Sequence, residues 1–159
     1  MPLRLHSSIP PLRDAVRWVN SSPVDVAKLR GRPVLVHFMS MSCTACKEQL
    51  PDVRAWARRY GGRLQLVGVH TPTQPQDADE ERVEQAIREL QLSHPVALDN
   101  EEGDLADAYQ VRFTPSYFLF DRNGELRHFH GGFEAVDPVA RAIERVLAET
   151  QAGETHAGT

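Results

Sequence analysis

The sequence predicts an α/β domain: a central mixed β-sheet with helices on both faces. Three observations carry this. Short β-branched and aromatic runs alternate with stretches of helical periodicity, which is the pattern of βαβ units. The last two runs are joined by Asn123-Gly124, a strong hairpin signal, so antiparallel strands are added to a parallel start. No internal repeat interrupts the order, and 159 residues suit one domain with one core.

Taken in order, residues 1–32 are rich in Pro, Ser and Arg with little periodicity; residues 1–17 read as an extension, 18–149 as the domain, and 150–159 as a small, polar, flexible tail. Trp18-Val19 reads as a short strand before the Asn20-Ser-Ser-Pro23 turn. Val34 to Met39 follows the Gly31-Arg-Pro33 punctuation and is the best early strand. A polar loop, Ser40-Met41-Ser42, leads into a helix from Cys43 to Tyr60, with Leu50, Val53, Ala57 and Tyr60 on one face. Its arginines 54, 58 and 59, with Arg63 just beyond, read as a solvated face. Pro51 predicts a kink inside it, and Gly61-Gly62 a stop.

Leu64 to Val69 is a second strand, followed by a polar loop from Thr71 to Asp79. Glu80 to Leu92 reads as a helix on Val83, Ile87 and Leu90, and its acidic start suits the positive end of the helix dipole. Pro95 to Leu98 is a short strand, and Gly103 to Tyr109 a short helix. Tyr117 to Asp121 and Glu125 to His130 form the hairpin, and Pro138 to Glu149 the last helix, on Val139, Ile143, Val146 and Leu147.

Composition narrows the function. Lys plus Arg is 18 and Asp plus Glu 22, a net charge of −4, which argues against a nucleic-acid binder. No apolar run approaches the roughly 20 residues of a membrane span, and Met1 to His6 lacks the apolar core of a leader, so a cytoplasmic address without a membrane partner is expected. The two cysteines exclude a multi-disulfide scaffold.

Those cysteines form Cys43-Thr44-Ala45-Cys46, directly after a strand and opening a helix. The helix start offers unpaired N–H groups and the positive dipole end, which stabilise a thiolate on the first sulfur. The second sulfur lies one turn further on, close enough for a disulfide, and Lys47 adds a nearby positive charge. A zinc site is the competing reading, but it usually takes four ligands, there is no third cysteine, and the histidines lack zinc-ligand spacing. No metal and no cofactor are therefore expected. An inert buried pair is the other competing reading.

Here the chain resembles the thioredoxin-like superfamily, and within it the TlpA/ResA-type (redoxin domain) thiol-disulfide oxidoreductases. The stretches that carry the resemblance are Leu29 to Phe38, Cys43 to Cys46 with Pro51 beyond, Gly68 to Pro72, Tyr109 to Pro115, and Phe120 to Gly124. The resemblance implies a thioredoxin-like fold, Cys43 as the attacking thiol and Cys46 as the resolving one. It makes Thr114-Pro115 the substrate-binding segment, with Pro115 a cis-proline facing the disulfide. It also implies a disulfide-containing protein or small-thiol substrate, and a reductase or thiol that donates electrons. Met39 and Ser42 stand where the family usually has aromatic residues, Ala45 where it often has proline, and Gln49 where many members have glutamate. Glutamine cannot titrate, so any acid–base task of that glutamate is lost or moved, and Gln49 becomes a modulating position.

His37 lies six residues before Cys43, where thioredoxins carry a buried aspartate. It is a candidate for proton transfer to Cys46, against a simpler reading as a hydrogen-bonded sheet histidine. His128 and His130 share a strand face by alternation and read as surface residues rather than copper ligands. Met39 and Met41 flank the active-site loop, either as core packing or as an adaptable rim. The functional expectation is disulfide exchange in the reducing direction. A peroxidase is the alternative, since Ser40 stands three residues before Cys43, although Val36 replaces the proline that motif requires. A redox-sensing or binding module would use the same cysteines.

Overall fold

A computed structural model of the chain describes residues 3–157. Its strands are β1 (Arg17–Val19), β2 (Val34–Met39), β3 (Gln65–His70), β4 (Val96–Leu98), β5 (Ser116–Phe120) and β6 (Leu126–Gly131). Its α-helices are α1 (Thr44–Tyr60), α2 (Glu80–Glu89), α3 (Asp104–Ala108) and α4 (Val136–Ala157). The strands form one sheet in the order β1-β4-β3-β2-β5-β6. β2 lies parallel to β3 and antiparallel to β5, so the parallel and hairpin halves of the sheet meet on it.

All of β2 is buried, because both faces of the sheet are covered; that is why it reads as an apolar run interrupted only by His37. Side chains alternate between the faces. Val34, Val36 and Phe38 meet Leu105, Ala106 and Tyr109 of the α3 region. Leu35 packs with Val53 and Trp56 of α1 and with Val139 and Ile143 of α4. Met39 shares a cluster with Cys46 and Leu50 of α1 and Val83 and Ile87 of α2. Helices thus cover both faces but unequally: α1, α2 and α4 lie on one, and α3 lies on the other with the N-terminal segment.

That segment is the main departure from expectation. Residues 3–17 are not an appendage. Leu12 is 3% exposed in the core, and Leu3, Ile9 and Ala15 pack against the same cluster. Ser8 bridges Glu125, the His6 amide donates to the Leu126 carbonyl, and the Leu126 amide donates to the Ser7 carbonyl. The segment satisfies backbone groups just before and at the start of β6, where an unpaired edge would otherwise face water. The expected flexible tail is also revised, since α4 runs to Ala157. Val139, Ile143, Val146 and Leu147 anchor this helix, and extension past a formed nucleus costs little. The first two residues of the extension and the last two of the tail lie outside the described residues.

Smaller differences have local causes. α1 continues through Pro51 without a break, and Trp56 joins its buried face. The Thr71–Asp79 loop contains a 3₁₀ turn at Pro75–Ala78, and α2 ends at Glu89. The hairpin turn is closed by Asp121, whose Oδ1 accepts the Asn123 and Glu125 amides, with Gly124 at φ +79°. A register shift between Leu119 and Phe120 has no signal in the alternation.

Candidate functional site

The chain leaves β2 at Met39 and turns through residues 40–42 into α1. Cys43 is the N-cap residue of α1, extended at φ −95° and ψ 110°, and its Sγ accepts the Cys46 amide at 3.1 Å. A sulfur thereby occupies the position where capping oxygens usually satisfy the orphan donors of a helix start. Cys43 and Cys46 are joined as a disulfide. Cys43 is half-buried, whereas Cys46 is 3% exposed and packs into the cluster of Met39 and Leu50. Of the two sulfurs, the first is the one another molecule can reach.

Thr114 and Pro115 do come to this point. The Thr114 carbonyl oxygen lies 3.6 Å from Cys43 Sγ, and the Thr114–Pro115 peptide bond is cis. The loop is held from both sides: Ser116 Oγ donates to the Phe113 carbonyl at 2.7 Å, and the Gly132 amide to the Pro115 carbonyl at 3.0 Å. Lys47 is exposed on the other side, at the rim of a groove of about 710 Å³. Met41, Ser42, Val83 and Leu90 also line that groove.

Gln49 sits one turn into α1 and is 5% exposed. Its Nε2 donates to the Gly132 and Phe133 carbonyls at 2.9 and 3.1 Å, and its Oε1 accepts the Tyr117 hydroxyl at 2.7 Å. The neutral amide ties α1 to β5 and to the chain after β6, and the two donated bonds require its N–H₂ group. Burial pushes the Tyr117 hydroxyl well above its ordinary pKa, so it stays a donor.

His37 lies in the sheet behind the site, 2% exposed, with its Nε2 at 2.7 Å from Nε2 of His94. One ring donates and the other accepts. Burial, and then the His94 charge, holds His37 well below the usual histidine range; burial brings His94 down to about 4. Gly68 opposite makes room for the ring, since a Cβ there would lie 3.0 Å from His37 Nε2. His128 and His130 stack on one face of β6 with ring centroids 6.3 Å apart. Among the described residues, no group of three or more His, Cys, Asp and Glu side chains is placed to hold a metal ion.

Several site residues escaped the sequence reading. His94 had no visible partner, because His37 is far away in the chain. Asp77 looked like one of several acids before α2, yet it is 4% exposed and binds the loop that carries Cys43. His70 accepts the Met41 amide at 3.1 Å, and burial, opposed by the Asp77 charge, lowers its pKa to about 4. Phe113, beside Thr114, is 51% exposed, and its ring lies over Gly131, where a Cβ would come within 2.5 Å. An aromatic residue next to Thr-Pro was the only signal for it.

Comparison with known proteins agrees with this geometry. The AhpC/TSA family profile matches residues 15–129. The thiol-disulfide oxidoreductase YkuV of Bacillus subtilis is 32% identical over 149 residues, covering 94% of this chain and 100% of YkuV. Protein DipZ of Mycobacterium tuberculosis is 30% identical over 148 residues, covering 91% of this chain and 21% of DipZ. A thioredoxin-like protein solved in its oxidized form aligns with a TM-score of 0.83 at 32% identity, over 92% of this chain and 99% of that one. With most of its length inside the family profile, and a sulfur pair placed for exchange, this chain belongs to the AhpC/TSA family as a thiol-disulfide oxidoreductase of thioredoxin-like fold.

Proposed function

We propose that the protein reduces disulfides of proteins or small thiols, with Cys43 attacking and Cys46 resolving. What supports this best is the asymmetry of the pair: a half-buried Cys43 whose sulfur is capped by the Cys46 amide at 3.1 Å, beside a buried Cys46. In the reduced protein the helix start stabilises the Cys43 thiolate, and Lys47 adds positive charge nearby. The thiolate attacks one sulfur of the substrate disulfide. A mixed disulfide forms, and the leaving thiolate takes a proton. Cys46, as thiolate, then attacks Cys43 Sγ. The second substrate sulfur leaves as a thiolate with the electron pair and takes a proton from solvent, and the Cys43–Cys46 disulfide closes. Substrate has gained two electrons and the protein has lost two.

Thr114 and the cis Pro115 form the wall against which the substrate chain aligns. A second dithiol protein or a small thiol restores the reduced state. The reducing direction goes with a cytoplasmic setting. The peroxidase reading is less well supported, because the Ser40 hydroxyl donates to Asp77 at 2.9 Å and lies 2.7 Å from Thr73 Oγ1.

The test is turnover of a protein disulfide by wild type, Cys43→Ser and Cys46→Ser, with the products separated on a non-reducing gel. Cys46→Ser is expected to trap a mixed disulfide and Cys43→Ser to be inert. Activity surviving in Cys43→Ser would overturn the assignment, and peroxide consumption surviving in Cys46→Ser would favour the peroxidase. Direction is read from the equilibrium potential. A value near about −270 mV supports a reductase, and one near about −120 mV reverses the direction.

A further inference from the structure

We propose that Asp77 is a positioning residue for Cys43: from the loop before α2, its carboxylate holds residues 40–42 so that the Cys43 sulfur stays at the start of α1 when the disulfide opens. This rests on the reading of Cys43 as the attacking thiol.

The geometry is that of a bridge between two loops. Asp77 Oδ1 accepts the Ser42 hydroxyl at 2.7 Å. Its Oδ2 accepts the Ser40 hydroxyl at 2.9 Å, the Thr73 amide at 3.1 Å, the Gln74 amide at 3.0 Å and the Thr73 hydroxyl at 3.2 Å. Two donors thus belong to the segment that delivers Cys43, and the rest to the loop Asp77 itself sits in. The Met41 amide of that segment is also held, donating to His70 Nε2 at 3.1 Å. The Cys43 amide donates to the Ser40 carbonyl at 3.1 Å, so fixing Ser40 fixes the turn into α1.

A carboxylate is suited to this work. Burial pushes Asp77 up, but hydrogen bonds from Ser42, Thr73, Ser40 and Gln74 outweigh it and keep the group ionised, below its ordinary pKa. Bonds to an ionised acceptor are roughly twice as strong as neutral ones. In the oxidised protein the disulfide also holds Cys43. Once it is reduced, the turn through residues 40–42 has to keep Cys43 Sγ over the Cys46 amide, which is the interaction that favours the thiolate.

The charge of Asp77 itself opposes a thiolate, but its oxygens already face these donors. The charged or titratable groups on the elements around Cys43 include Lys47 and Glu48 on α1, His70 at the end of β3, and Arg82 and Glu89 of α2 on the neighbouring groove. Loss of the bridge therefore acts on Cys43 mainly through position, and raises its pKa.

The experiment uses the full chain, reduced, with Cys43 alkylation by iodoacetamide followed by mass across pH. Wild type, Asp77→Asn, Asp77→Glu and Ser42→Ala are compared, with thermal midpoints alongside. Asparagine cannot accept from all these donors, so its alkylation midpoint moves up, and below that midpoint the rate falls about three- to tenfold. Ser42→Ala, at an exposed residue, moves it the same way by less. Asp77→Glu recovers part of the loss. An unchanged or lowered midpoint in Asp77→Asn and Ser42→Ala overturns the proposal, even if the thermal midpoint drops. If Asp77→Asn does not fold, Ser42→Ala decides. If wild type reduces no disulfide while the midpoint still moves, the functional reading fails and this one stands.

Discussion

Gln49→Glu replaces an N–H₂ group with an oxygen at a site where both donated bonds are used. In the native protein Nε2 donates to the Gly132 and Phe133 carbonyls at 2.9 and 3.1 Å, and Oε1 accepts from Tyr117. A neutral glutamic acid keeps the Tyr117 bond and donates to one carbonyl, so it loses one bond, worth about 1 kcal/mol. An ionised one donates to neither and sets a negative oxygen against two carbonyl oxygens in a site 5% exposed. The folded state therefore holds the acid neutral and raises its pKa above the roughly 4.3 of a free glutamate, by about two to three pH units on the scale of buried glutamates.

A raised folded pKa means that the penalty is absent below about pH 4.3, grows as pH rises, and levels off above the folded pKa. At about 1.4 kcal/mol per pH unit, the plateau adds about 3–4 kcal/mol to the acid-side loss. The assay is urea unfolding of wild type and Gln49→Glu at pH 4.5 and pH 8. The difference in unfolding free energy is expected to grow from about 1 to about 4–5 kcal/mol. A difference that does not change with pH refutes the reasoning, because it would mean the carboxylate is accommodated.

Wild type is expected to lose stability as pH falls from about 6.5 to about 4. Burial holds His70 and His94 at about 4, and His37 well below its ordinary value, while the unfolded chain takes up their protons. The linkage is about 3 kcal/mol at pH 4 for each of His70 and His94, and a thermal midpoint unchanged between pH 7 and 4.5 would contradict it. Gly68→Ala puts a Cβ 3.0 Å from His37 Nε2 and 3.2 Å from Val96 Cγ2, so the His37 ring must give by a few tenths of an ångström, which strains its bond to His94. The expected cost is about 1–3 kcal/mol in urea unfolding, and an unchanged midpoint would show that the ring moves freely.

The parts of the site legible in the sequence are those specified by neighbours along the chain. Cys43 and Cys46 were recognisable because a strand, a polar loop and a helix start follow one another within a few residues. Pro115 stood out between two extended segments, but its isomer depended on the surrounding fold. Gln49 was identifiable as a departure from the family pattern; that its amide joins α1 to Tyr117 and the Gly132 carbonyl was not. His37 was singled out with no partner, and the partner is His94, 57 residues away.

Local periodicity and turn residues determined the α/β class, the bounds of β2, the course of α1 and the Asn-Gly hairpin, because apolar spacing and turn chemistry act over a few residues. Only the folded chain decided the rest. The N-terminal segment lies along the chain leading into β6 because Leu3, Ile9 and Leu12 pack into the core and backbone groups there need partners, a demand its aperiodic sequence does not announce. Asp77 grips the Cys43 loop because the chain between β3 and α2 brings residues 73–77 back over residues 40–42. A buried carboxylate and an exposed one look alike in sequence. What distinguishes them is which donors the fold sets around them, and those donors come from different parts of the chain.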